Sequence, residues 1–228
     1  MLKVTSVVLN LIFLISFSWY FLIHIGINAY YQEYISKKEI FLNDIYYKAK
    51  VDAFFQLNKL LDPKLGYSVF VGDSIVEQFP IEEFFAEKRI LNRGIGQDTT
   101  IGVLRRLESN INNINIGNFI LMIGHNDIKY RSIDETVKNI ELILTNVIAR
   151  KKYFISLLPA ANEQDHRKIK MINQRVKAFS GRIGFKYFDV YSLFIDINGK
   201  INPVYFYDGV HPNVKGHLII KDKISIIF

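Results

Sequence analysis

The chain has 228 residues, half of them apolar, which is enough for one well-packed domain with an additional segment but too little for two full domains. Lys and Arg number 29 against 22 Asp and Glu, and the basic residues occur singly or in pairs. The net charge of +7 therefore fits a surface near anionic lipid or envelope polymer and predicts no nucleic-acid partner. The lack of cysteine excludes disulfides, thiolate metal sites and a cysteine nucleophile.

The N-terminal segment, residues 1–30, is predicted to be a transmembrane anchor. No Asp, Glu, Lys or Arg lies between Val4 and Gln32, and Val4–Ile27 is predominantly apolar and long enough to cross a bilayer as a helix. The alternative is a cleaved signal peptide with its site near Ala29, but the apolar run exceeds the roughly 7–15 residues usual for one. We therefore expect an uncleaved single-pass anchor, with the rest of the chain outside the cytoplasm.

The remainder of the chain is predicted to contain a short helical segment followed by an α/β domain. Apolar residues at spacings of three to five predict a juxtamembrane amphipathic segment over residues 31–65, which ends near Asp62-Pro63. From residue 66 to residue 228, five apolar runs of strand length alternate with helix-like segments. The alternation predicts three α/β/α layers around a five-stranded parallel, flavodoxin-like sheet.

The predicted elements have the following bounds. Strands are expected at Tyr67–Val71, Arg89–Asn92, Asn118–Ile123, Lys152–Leu158 and Lys186–Tyr191. Helices are expected from Ile75 to an interruption at Pro80, at Thr99–Asn110, Ile133–Arg150 and Asp165–Ser180, and from about Asn213. Ligands of such sheets bind beyond the carboxyl ends of the strands, so residues just after the strands are the first candidates for a site.

Four polar segments lie where such a site is expected. A serine hydroxyl is a weak nucleophile that needs a base and an oxyanion site. Each segment alone is weak evidence, because Gly-Asp-Ser is a common turn, Asp-x-x-His can be two solvated loop residues and Asn126 can be a helix cap. The segments are Gly72-Asp73-Ser74, Gly94–Thr99, Gly124-His125-Asn126-Asp127 and Asp208-Gly209-Val210-His211.

Together, and in this order, the segments resemble the four blocks of the SGNH hydrolases, in the GDSL esterase/lipase superfamily. The resemblance covers residues 67–220, and the second block, with Arg105-Arg106-Leu107 after it, is similar to the branch containing platelet-activating-factor acetylhydrolase-like and bacterial carbohydrate esterases. It implies a serine esterase that needs no cofactor, and the sequence shows no metal-ligand spacing. The matching blocks are Phe70–Ile75, Asn92–Thr100, Gly124–Asp127 and Asp208–Pro212.

The resemblance also implies roles for single residues. Ser74 would attack an ester carbonyl, His211 would act as the base, and Asp208 would hold the imidazole. The backbone N–H of Ser74, a backbone N–H of the second block and the Asn126 side chain would form the oxyanion hole. The second-block donor is usually a glycine, and that position here is Gln97, with Gly96 as the alternative donor. Gln97 can therefore either serve through its main chain or reshape the pocket.

Other residues receive less specific predictions. His125 is expected to line the pocket and bind substrate, whereas His166 and His217 are expected on helix surfaces. Asp73 and Asp127 are assigned to holding their loops.

The function that fits these predictions is removal of a short acyl group, with acetyl favoured, from a carbohydrate or lipid of the cell envelope. The alternatives are an O-acyltransferase that uses the same acyl-enzyme on a surface polysaccharide, and a non-catalytic binding domain on the same fold.

Overall fold

The structure is a computed structural model that describes residues 44–86 and 88–228. The transmembrane anchor predicted over residues 1–30, and the predicted helical segment as far as residue 43, lie outside the described residues. Within the described ranges, no helix is both long and apolar enough to cross a membrane.

The centre of the fold is a sheet of five parallel strands in the order β2-β1-β3-β4-β5. This is the flavodoxin-like order, which confirms the predicted sheet. All six residues of β1 are buried, because neighbouring strands flank it and helices cover both of its faces. The strands are β1 Tyr67–Gly72, β2 Ile90–Gly94, β3 Ile116–Met122, β4 Ala149–Ile155 and β5 Lys186–Phe188.

Helices cover the sheet on both sides, which confirms the three-layer architecture. Alternate strand residues point to opposite faces, so Val69 and Val71 enter one apolar cluster and Phe70 enters the other. The helices are α1 Ile45–Asn58, α2 Ser74–Glu77, α3 Ile81–Phe84, α4 Thr100–Arg105, α5 Leu107–Asn110, α6 Ile133–Asn146, α7 Glu163–Ile183 and α8 Val214–Ile224. Short 3-10 turns lie at Asp127–Lys129, Tyr191–Phe194, Pro203–Tyr205 and Ser225–Ile227.

Several predicted elements differ in their bounds from the observed ones, and the strand predicted over Lys186–Tyr191 ends at Phe188. Two further differences arise because backbone pairing and side-chain contacts override the local pattern. The helix predicted over Thr99–Asn110 is interrupted at Arg106, whose side chain turns into the interior. The helix predicted to reach Arg150 ends at Asn146, and β4 starts at Ala149 with exposed basic side chains. Its main chain is paired with β3 from that residue onward.

Helix α1 packs against the sheet domain and lies in the same compact unit, Asp44–Phe228. The Arg93 guanidinium lies over the Phe54 ring at 4.8 Å and donates to Asn58 Oδ1 at 2.6 Å. Asn58 Nδ2 in turn donates to the Asn110 carbonyl at 3.0 Å, and Asn110 Nδ2 donates to the Val51 carbonyl at 3.0 Å. These contacts hold α1 against β2 and α5.

Candidate active site

Ser74 is the first residue of α2, at the sharp connection between β1 and that helix. Asp73 is the N-cap, and its carboxylate accepts the Ile75 N–H at 3.0 Å. Because the first N–H groups of a helix have no acceptor within it, the Ser74 N–H has no partner within α2. A Cβ at Gly94 would lie 2.3 Å from the Glu77 nitrogen, so glycine is required for β2 to pack this closely on α2.

A continuous hydrogen-bonded chain connects Ser74, His211 and Asp208. Ser74 Oγ lies 2.9 Å from His211 Nε2, across 137 residues of sequence. His211 Nδ1 lies 2.7 Å from Asp208 Oδ2. The three residues predicted to form the triad are thus brought together in hydrogen-bonding order.

The loop Asp208–His211 is shaped by its own backbone. Asp208 Oδ1 accepts the N–H groups of Val210 at 3.0 Å and His211 at 2.8 Å. These hydrogen bonds, above all the one from the His211 backbone, lower the pKa of Asp208 to about 2. Gly209 turns the loop with a φ of 82°, a conformation that glycine adopts without strain. Asp208 is therefore an anion that faces the imidazole at any ordinary pH.

The expected oxyanion donors line the same cavity, and the two candidates in the loop after β2, Gly96 and Gln97, differ in their surroundings. Gly96 donates its N–H to Glu77 Oε2 at 2.9 Å, so this group is already used. Gln97 has a φ of 63°, the left-handed conformation typical of the glycine usual at this position. Asn126 Nδ2 donates to the Asp98 carbonyl at 3.1 Å, which leaves its second amide hydrogen for the cavity.

Buried carboxylates hold the loops that carry these donors. The fully buried Asp98 pairs with Arg106, whose side chain is 1% exposed, at 2.9 Å. Burial raises the pKa of Asp98 to about 6, while the guanidinium opposes this shift. Asp127 accepts the Thr100 N–H at 3.0 Å and pairs with Arg131 at 2.5 Å. Burial raises the pKa of Asp127 and that of Asp73 to about 7.

The cavity between these groups has a volume of about 450 Å³ and a mixed polar and apolar wall. His125 lines it and is 7% exposed, and burial lowers its pKa to about 4, so the ring is neutral. Its Nε2 has no hydrogen-bond partner among the described residues. The sequence did not single out Glu77, Lys129, Asn162 and Asp165 as lining residues, because no motif marks the loops that bring them there.

The two other histidines are not simple surface residues. His217 is 6% exposed and packs edge-on against Phe79 with ring centroids 5.5 Å apart, so its predicted exposure is wrong. His166 is partly buried and lies with Nε2 at 2.5 Å from the Tyr191 hydroxyl. Both lie on helices, but on the sides that face the fold.

The flavodoxin-like sheet with a Ser–His–Asp chain at its carboxyl edge defines the class of α/β serine hydrolases. Within that class, the sequence model of the GDSL-like lipase/acylhydrolase family matches residues 70–219, and the chain belongs to this family. The protein is thus a carboxylic ester hydrolase of the SGNH type.

Three solved structures with the same fold are named as different kinds of protein. A GDSL-like lipase from Bacteroides thetaiotaomicron is 25% identical, with a TM-score of 0.71, and the match covers 78% of this chain and 96% of that one. A structure from Streptococcus pneumonia named as a platelet activating factor is 24% identical, with a TM-score of 0.71 and coverages of 80% and 92%. An acetylxylan esterase from Geobacillus stearothermophilus is 20% identical, with a TM-score of 0.60 and coverages of 72% and 95%. A search of curated protein sequences found no match.

Proposed function

We propose that the protein hydrolyses a short-chain ester, with acetyl favoured, through an acyl-enzyme on Ser74. The observation that carries the proposal is the chain of 2.9 Å and 2.7 Å contacts from Ser74 Oγ through His211 to Asp208. Because a hydroxyl is a weak nucleophile, the adjacent imidazole is needed as a base, and the anionic Asp208 orients the ring and stabilises its protonated form.

The reaction has two half-reactions. Ser74 Oγ bonds to the carbonyl carbon while its proton passes to His211 Nε2, and the tetrahedral intermediate then expels the alcohol, which takes that proton. In the second half-reaction, a water gives its proton to Nε2 and attacks the acyl carbon, and Ser74 leaves with the proton. In both intermediates the negative oxygen accepts from the N–H groups of Ser74 and Gln97 and from the Asn126 amide.

The cavity wall supports a polar alcohol group on the substrate. The neutral His125 ring is one of the polar groups that line the cavity. Asn162, Asp165 and Lys129 add polar groups to the wall, whereas a long acyl chain needs an extended apolar channel. The acetylxylan esterase with the same fold is consistent with an acetylated carbohydrate. We therefore propose an acetyl ester on an envelope carbohydrate or lipid, with the carbohydrate favoured by the polar residues of this wall.

Replacement of the nucleophile tests the mechanism. Ser74→Ala is expected to abolish labelling by a fluorophosphonate and to lower kcat for p-nitrophenyl acetate by about 10³-fold or more. Ser192→Ala, which changes an exposed serine, is the matched control and should keep both properties. Labelling that persists in Ser74→Ala, or no labelling of the native chain, would refute the esterase and favour the binding domain.

A substrate series tests the acyl group. With p-nitrophenyl acetate, butyrate and longer esters, kcat/KM should be highest for acetate, and a steep rise with chain length would contradict the proposal. Incubation with an acetylated glycan and with its deacetylated form plus an acetyl donor separates the two reaction types. Loss of ester from the first supports the hydrolase, whereas gain of ester on the second indicates an O-acyltransferase.

The proposed location is a membrane, with the N-terminal segment as an uncleaved anchor and the hydrolase domain outside the cytoplasm. The support is the uncharged, apolar run Val4–Ile27. Retention of the full-length chain in membranes after alkaline extraction is the expected result. A shortened chain released in soluble form would indicate a cleaved signal peptide.

A further inference from the structure

Glu77 joins three parts of the molecule through one carboxylate. It lies three residues after the nucleophile, on α2, and its Oε2 accepts the Gly96 N–H of the loop after β2 at 2.9 Å. Its Oε1 forms an ion pair with Lys50 Nζ of α1 at 2.8 Å and accepts the hydroxyl of Tyr46, also on α1. The contacts place α1 directly behind the loop that carries the expected oxyanion donor.

The loop needs such support because of its next residue. Gln97 is in the left-handed conformation, with a φ of 63°, which is unfavourable for a residue with a side chain. Such a conformation persists only where the surroundings hold it. On one side of Gln97, Gly96 is held by Glu77, and on the other side Asp98 is held by the buried Arg106. Both neighbours of Gln97 are thus held by charged side chains.

We propose that Glu77, supported by Lys50 and Tyr46, is a positioning residue that keeps the Gln97 N–H directed into the oxyanion hole. The inference rests on the proposed function, in which this N–H stabilises the tetrahedral intermediate. The proposal gives α1 a role in catalysis, although no residue of Ile45–Asn58 lines the cavity.

The ion pair with Lys50 also neutralises the negative charge of Glu77. Glu77 lines the catalytic cavity, and an uncompensated carboxylate close to a developing oxyanion would raise the energy of the transition state. Lys50 supplies the compensating positive charge, and the pKa of its ammonium is raised mainly by the hydrogen bond to Glu77. The carboxylate can therefore act as a strong acceptor for Gly96 without opposing the reaction.

The decisive experiment is a double-mutant cycle on the full-length chain with p-nitrophenyl acetate. Glu77→Ala should lower kcat by about 10–100-fold, because one oxyanion donor moves away, with KM within about threefold. Glu77→Gln keeps a neutral acceptor for Gly96 and should recover most of this loss. In the Gln97→Gly background, the loss of kcat caused by Glu77→Ala should be at least about fivefold smaller, because glycine adopts the left-handed conformation without the contact to Glu77.

The contribution of α1 is tested on the helix itself. Lys50→Met should lower kcat by about 3–10-fold, since it leaves the Glu77 carboxylate uncompensated beside the cavity. Lys48→Met is the matched control, because Lys48 is exposed on the same helix, and it should keep the native kcat.

Three outcomes would overturn the inference. The first is an equal loss of kcat from Glu77→Ala in both backgrounds, and the second is a rise in KM without a change in kcat, which would make Glu77 a substrate contact. The third is native kcat in both Glu77 variants while Ser74 is still labelled by the fluorophosphonate. By contrast, activity that survives Ser74→Ala would refute the proposed function, whatever the Glu77 variants show.

Discussion

Gln97 has a backbone conformation that its side chain makes unfavourable. Its main chain has the left-handed conformation, and its side chain is exposed at the cavity. The hydrogen bond that this position can offer comes from the main chain, so the chemistry does not depend on the glycine that is usual there. The cost of the side chain is conformational strain.

Gln97→Gly should therefore raise the free energy of unfolding by about 0.5–1 kcal/mol, since relief of strain outweighs the greater chain entropy of glycine. Urea denaturation measures this change. Gln97→Ala keeps a Cβ, and with it the strain, and should show no gain. An equal gain from both substitutions would mean that the glutamine side chain, and not the backbone, is unfavourable.

Arg106 is a second residue with an unusual environment, because it is a cation with 1% of its side chain exposed. It pairs with Asp98 at 2.9 Å and donates to the Arg93 carbonyl at 2.8 Å. Removal of one partner of a buried pair leaves an uncompensated charge, which is more costly than loss of the pair itself.

Arg106→Met should destabilise the protein by about 3–5 kcal/mol near neutral pH. The loss should be smaller at about pH 5 than at about pH 8, because the unpaired Asp98 can then be protonated in the folded state. Addition of Asp98→Asn to Arg106→Met should recover part of the loss. Urea denaturation at both pH values measures these differences, and an equal loss at both would show that Asp98 is not the group left uncompensated.

At the scale of elements, α8 holds the loop that carries the base. The loop is closed by a bridge between Phe206 and Pro212 and by the Tyr207 N–H, which donates to the His211 carbonyl at 2.9 Å. Asn213, the N-cap of α8, accepts the Gly216 N–H at 3.2 Å and donates to the Val204 carbonyl at 2.8 Å. The residue that caps this helix therefore also holds the loop that carries His211.

Two helix caps should thus differ in their effect on activity. Asn213→Ala and Ser132→Ala, which removes the capping box of α6, should each cost about 1 kcal/mol of stability. Asn213→Ala alone should also lower kcat/KM, because it loosens the loop that positions His211. Thermal unfolding and ester hydrolysis measure the two effects. Unchanged kcat/KM in Asn213→Ala would show that the loop does not depend on this cap.

For the whole molecule, the buried carboxyls make stability depend on pH. Burial raises the folded-state pKa of Asp73 and Asp127 to about 7, above the value of about 4 for an exposed carboxyl. The folded state therefore binds more protons than the unfolded state between these values, so stability falls as the pH rises through this window. The lowered pKa of Asp208, about 2, affects stability only below this window. The lowered pKa of His125, about 4, acts in the opposite direction within it, but two carboxyls with larger shifts outweigh this one group.

The free energy of unfolding should thus decrease between about pH 4 and about pH 8. Asp73→Asn places a neutral amide where the folded state favours a neutral acid, so it should reduce the slope. Urea denaturation at a series of pH values measures both curves. A stability that rises through this range, or a slope unchanged by Asp73→Asn, would contradict the prediction.

Much of the fold follows from local patterns. The alternation of apolar runs with helix-like segments identified all five strands, because burial on both faces of a parallel sheet requires continuous apolar runs. The bounds were less accurate where a strand begins with charged residues, as at Ala149–Lys151, since main-chain pairing tolerates exposed polar side chains. The break at Arg106 has no local signal, because its cause is a buried partner.

In the active site too, some features were predictable from local sequence and others depend on tertiary contacts. The sequence alone identifies four candidate site residues, because each belongs to a short block with fixed neighbours at a strand end or in a loop. They are Ser74, Asp208, His211 and Asn126. The burial of His217, the left-handed conformation of Gln97 and the contact between α1 and Glu77 follow from the folded chain. Each depends on packing between segments far apart in sequence, and local periodicity carries no information about such contacts.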